Sequence, residues 1–185
     1  MDKNKFVNHI PEPGISRLIF ADTRFALVWL ALRLYVGWMW LEAGLDKLGN
    51  PAWTGPEAGL AVKGFITGAL AKTAGPHPDV TGWYASFLEN VALPNAPAFA
   101  MLVTYGEIAV GLALLTGLLV GIASFFGIVM NYSFLLAGTV SSNPVLLGIQ
   151  LLLILAWRVA GWYGLDRYVL PYLGVPWKPG KVFKS

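Results

Sequence analysis

The stretch FALVWLALRLYVGWMWLEAGLDKL, residues 25–48, decides how this chain is read. It is apolar over about 24 residues, enough at roughly 1.5 Å per residue to cross about 30 Å of hydrocarbon. Yet it carries Arg33, Glu42, Asp46 and Lys47. A charge at the centre of a membrane helix costs roughly 2.5–3.5 kcal/mol on insertion scales, and less near the ends. Such groups usually pair with one another, and they mark places where an ion, a proton or a polar ligand is handled.

The rest of the 185-residue chain has the same character. It is 56% hydrophobic and 12% charged, whereas a soluble domain is about 25% charged. With a formal net charge of +3, it reads as one membrane domain rather than a nucleic-acid binder. There is no cysteine. That excludes disulfides, thiol catalysis, cysteine zinc sites and iron–sulfur clusters carried by this chain. His9 and His77 lie outside the apolar stretches, which excludes a bis-histidine haem within the bilayer. No metal ligand set is expected. The first apolar run begins too late and is too long for a cleavable leader.

Residues 1–24 are polar, broken by Pro11, Pro13 and Gly14, and read as a tail with a short interfacial approach. Residues 96–140 are apolar throughout, twice the length of a span, with a turn expected at Thr116-Gly117. Asn95-Ala96-Pro97 and Asn143-Pro144 each supply a cap followed by an early proline. The pattern predicts an all-α, four-helix transmembrane bundle within residues 25–171. Its spans are placed at about 25–48, 97–116, 118–139 and 144–163, with a tail over 172–185.

Lys3, Lys5, Arg17 and Arg24 precede the bundle, and Arg158, Arg167, Lys178, Lys181 and Lys184 close it. The loop 49–95 holds only Lys63 and Lys72. Positive charge stays inside, so both termini are expected in the cytoplasm, with the long loop outside a multi-pass plasma-membrane protein. Within that loop, 58–74 can form a loose helix. Trp83, Tyr84, Phe87, Leu88 and Val91 recur at helical spacing, as an interfacial helix does with its aromatic face in the headgroups. The loop then acts as a lid on the external mouth.

Arg33, Gly37, Trp40, Gly44 and Lys47 form one helical stripe. Its glycines admit a neighbouring helix, and Trp40 offers a flat face to an aromatic ligand. Arg33 and Lys47 lie about 21 Å apart along the axis. Lys47 therefore belongs to the external mouth and Arg33 to the inner half. Glu42 and Asp46 share a different face. Asp46 and Lys47 also fit an interfacial anchor, and Glu42 an intramembrane hydrogen bond. Glu107 falls near the bilayer middle of the second span, where a charge pair with Arg33 is expected alongside ligand binding or proton relay. Asn131, Tyr132 and Gln150 are further polar groups, of the kind that glue membrane helices together. Arg158 can snorkel, and Asp166-Arg167 read as a local closure of the last helix.

These residues carry a resemblance. Arg33 to Lys47, RLYVGWMWLEAGLDK, resembles the first-helix signature of the DoxX/DoxD family. Gly106-Glu107, followed by Gly111 and Gly117, resembles its second-helix pattern. The run from Ser142-Asn-Pro144 to Asp166-Arg167 is similar to the DoxD-like branch. The resemblance implies a small four-helix membrane protein like the membrane subunit of thiosulfate:quinone oxidoreductase, which passes electrons from thiosulfate to quinone. If the chain is catalytic, it is expected to be a quinone-dependent oxidoreductase subunit.

A quinone needs donors at its carbonyls, an aromatic slot and a proton source. Arg33 and Lys47 are candidate donors, Trp40 the ring partner, and Glu107 and Glu42 the proton carriers. Asp46 and Asn131 join the candidate ligand-binding set. Thiosulfate, a dianion, favours the external mouth near Lys47, Lys63 and Lys72. Expected partners are the bilayer, quinone, and a second subunit or soluble redox enzyme, with a homo-oligomer as a further option. Two other functions stay open: a non-catalytic membrane scaffold for a soluble redox or detoxification enzyme, and a small transporter.

Overall fold

The structure is a computed structural model and describes residues 12–174. Lys3, Lys5, His9, Lys178, Lys181 and Lys184 lie outside the described residues. The described chain is helical, and no strand occurs in it.

α1, Gly14–Ala21, is joined to α2, Ala26–Leu48, by a 3-10 turn. Asp22 caps that turn, accepting hydrogen bonds from the Arg24 amide and guanidinium. The Trp29 indole donates to the Ile19 carbonyl and holds α1 against α2. Next come the short α3, Pro51–Thr54, then α4, Leu60–Leu70, and α5, Gly82–Phe87, which runs into a π turn over Leu88–Ala92. Three apolar helices follow: α6, Ala96–Thr116; α7, Val120–Leu136; and α8, Asn143–Leu155. A break at Ala156 leads to α9, Trp157–Ala160, and α10, Asp166–Tyr172. α2 with its preceding turn and α6 are long and apolar enough to cross a membrane; α7 and α8 are apolar but shorter.

Glycine sets the main helix contact. A Cβ at Gly44 would lie 2.7 Å from Ile108 Cγ1, one at Gly111 2.6 Å from the Leu41 nitrogen, and one at Gly37 3.0 Å from Leu115. Position rises along α2 as it falls along α6, so the two helices run antiparallel with their backbones in close contact. α7 and α8 form the second close pair, where Gly127 leaves the space that the Gln150 amide fills. α6 ends because Gly117 turns left-handed at φ 69°, a conformation that carries no Cβ penalty in glycine.

Two apolar clusters divide the interior. The inner one gathers Trp29, Val36, Trp40, Leu114, Leu153 and their neighbours. The outer one joins Val62, Ile66, Tyr84 and Leu88 to Ala96 and Ala100 at the start of α6. The segment 49–95 is therefore a packed part of the fold. Its aromatic face is split: Tyr84 and Leu88 turn inward, while Trp83 remains 64% exposed. The Tyr84 hydroxyl donates to the Ser133 carbonyl, and the Lys72 amine to the Gly138 carbonyl at 2.7 Å, fastening the outer helices to the end of α7.

Candidate functional site

The charged residues of α2 separate into a group at its C-terminal end, here called outer, and a group nearer its N-terminus, here called inner. In the outer one, the Lys47 amine is 2.7 Å from the Glu107 carboxylate. This replaces the expected pairing of Arg33 with Glu107. The reason lies in side-chain direction. A helical Cβ tilts toward the helix N-terminus, and the four-carbon stem of Lys47 adds reach. The amine thus drops back one turn, donating to the Ala43 carbonyl at 3.3 Å. Gly44, one turn below, leaves that path open and brings Glu107 against the α2 backbone. The same amine lies 5.2 Å from the centre of the Trp53 ring, a cation–π contact supplied by α3. Lys47 is thus no simple interfacial anchor.

Trp53 in turn lines an apolar cavity of about 290 Å³ between the outer helices and α6 and α7. Phe65, Tyr84, Phe87, Phe99 and Phe134 supply most of its aromatic wall. Burial pushes the pKa of the Tyr84 hydroxyl up. Sequence reasoning missed Trp53, Phe65, Phe99 and Phe134 as cavity residues, because the wall is assembled from five separate segments. The aromatic run 83–91 was the one available signal.

The inner group differs: a groove of about 310 Å³ reaches Asp166 beside Leu119, Val120 and Trp157, but Arg33 does not line it. Arg33 is 1% exposed, and its guanidinium donates to the Tyr163 carbonyl at 3.1 Å. It lies where the Cβ atoms of Gly117 and Gly164 would be, so two glycine backbones form its cradle. Its Nε and Nη1 have no hydrogen-bond partner among the described residues. The charge that acts on it is Asp166. Asp166 does not close its own helix locally, as expected from its position. Its carboxylate instead accepts the Val120 amide at 3.0 Å and the Leu119 amide beside it, capping α7 from 46 residues away. That cap holds Leu119 at φ 48°, an unfavourable value for a residue with a side chain. The Leu165 and Asp166 amides donate to the Thr116 and Gly117 carbonyls, satisfying the end of α6. Burial pushes the Asp166 carboxyl up, while the two amides and Arg33 pull it the other way.

The remaining candidates do not join either group. Trp40 is buried in the inner cluster, and its indole nitrogen has no partner among the described residues. Asn131 donates to Gln150 at 2.6 Å within the α7–α8 contact, the interhelical role expected of such a pair. Glu42 and Asp46 are exposed on the outer face of α2. Arg158 pairs with Glu12 at 3.5 Å. No cluster of three or more His, Asp or Glu suited to a metal occurs among the described residues.

A family model described as "TQO small subunit DoxD" matches residues 28–179. No curated protein and no solved structure matches the chain.

Proposed function

The chain belongs to the DoxD family, and on that premise we propose that it is the quinone-interacting membrane subunit of a thiosulfate:quinone oxidoreductase-type complex. It crosses the plasma membrane four times, with both termini in the cytoplasm and the segment 49–95 outside. The observation that carries this reading is the aromatic cavity behind whose Trp53 wall the Lys47–Glu107 pair sits. A flat, apolar ring is suited to such a slot, and its size is at the lower end of small-molecule pockets.

Quinone reduction takes up two electrons and two protons, so the protein must bring protons to a ring held away from water. Glu107 and Lys47 serve as the proton-exchanging pair, behind the Trp53 wall of the cavity. Tyr84 lines the cavity too, with its hydroxyl proton given to the Ser133 carbonyl, so its oxygen is left to accept a hydrogen bond from the reduced ring. Trp53, between Lys47 and the cavity, orients the amine through its ring face. Arg33 has a different task here, holding the inner turn together, and Trp40 packs the core.

Purified protein should bind a short-chain ubiquinone or menaquinone analogue, read by quenching of tryptophan fluorescence. Ala92→Phe, which fills the cavity, and Glu107→Gln should each raise Kd about tenfold, an effect worth about 1.4 kcal/mol. An unchanged Kd in both variants would remove the cavity from consideration.

A further inference from the structure

α2 carries an acid that neither charged group uses. Glu42 is exposed and, among the described residues, has no hydrogen bond or ion pair. It lies six residues, about 9 Å, inside the outer end of α2. Its face is the one turned away from α6, whose contact uses Gly37, Leu41 and Gly44.

That face is ordered. Val28, Ala31, Tyr35, Trp38, Glu42 and Leu45 are all exposed, and they follow one another in steps of three and four. Such spacing makes the seam of two helices crossing at a shallow angle. Trp38, 58% exposed, is the largest apolar group on it and sits one turn below Glu42. A carboxyl turned toward hydrocarbon is costly unless a donor meets it.

Two observations select the occupant. A twofold contact between copies of this chain would set Glu42 against Glu42, and the seam holds no lysine or arginine to compensate. Arg24, at the inner end, is more than about 25 Å away and is engaged with Asp22 at 2.6 Å. The matched family is described as a small subunit, a term that presupposes another chain. We propose that this face of α2 docks a membrane-spanning helix of a second, different polypeptide, which places a lysine or arginine opposite Glu42. The inference does not depend on where quinone binds.

The test is photo-crosslinking of the full chain in its native membranes. A benzoylphenylalanine probe at Trp38, with a control probe at Leu151 on the exposed side of α8, should give an adduct at the first position and none at the second. Peptide mapping should place the adduct in an apolar segment carrying lysine or arginine. Glu42→Lys should reduce the adduct about tenfold, the loss of one charge contact, and an acid in place of the partner's base should restore it. If Glu42→Lys does not accumulate, Glu42→Gln is measured in the same way. Adducts with lipid alone, adducts with a second copy of this chain alone, or an adduct undiminished by the Glu42 substitution would each overturn the proposal.

Discussion

The outer and inner ends of α2 hold the same ingredients in different surroundings. At each end a cation of this helix is drawn to an acid from elsewhere in the chain, Lys47 to Glu107 and Arg33 to Asp166. At the inner end, glycine backbones fill the space around the guanidinium. At the outer end, one tryptophan ring separates the ammonium from a cavity. A buried charge by itself therefore does not distinguish a clamp from a site. What lies directly against the cation does: glycine backbone around Arg33, an aromatic ring beside Lys47.

That contrast breaks most visibly at Arg33. Arg33→Ala should destabilise the protein by about 2–5 kcal/mol, because it empties the fully buried space between Gly117 and Gly164 and removes the bond to the Tyr163 carbonyl. Melting followed by circular dichroism in detergent will show this, and a variant that melts like wild type would refute the clamp. Glu107→Gln should cost at most about 2 kcal/mol, since Lys47 keeps some access to water and can turn toward it. If Glu107→Gln unfolded the chain as Arg33→Ala does, the two ends would be alike after all.

Smaller effects sharpen the outer end. Tyr84→Phe removes the hydroxyl bond to Ser133 and should cost about 1 kcal/mol at neutral pH. The folded hydroxyl has a raised pKa, against about 10 when unfolded. Its stabilisation is therefore complete below about pH 10 and is lost as pH rises through the folded value. Alkaline melts should show that loss in wild type and lack it in Tyr84→Phe. Least of all, Gly64→Ala in α4 should stabilise by about 0.5–1 kcal/mol, as a Cβ there meets nothing within 4 Å. A destabilised Gly64→Ala would mean that α4 packs more tightly than described.

Much of this was legible in the chain. Gly37, Gly44 and Gly111 announce a close helix contact, Gly117 announces the end of α6, and Asn131 with Gln150 announces a polar link. Each signal is local or belongs to one helix face. Depth was harder to read, because residue spacing locates a Cα whereas Lys47 acts through an amine one turn away. Asp166 was misread because its partners, the Leu119 and Val120 amides, are backbone groups with no mark in the sequence. The cavity was illegible for a third reason. Its lining comes from residues spread between Trp53 and Phe134, and only tertiary folding puts them on one surface.

The inner clamp also sets a clock on biosynthesis. Arg33 enters the membrane early, but its carbonyl partner at Tyr163 is 130 residues downstream. At about 5–20 residues per second, translation needs roughly 6–26 s to supply it. Until then an unmatched guanidinium sits in the nascent protein, at the cost that any unpaired charge in hydrocarbon carries. The segment that holds Tyr163 and Asp166 is the one that cancels it.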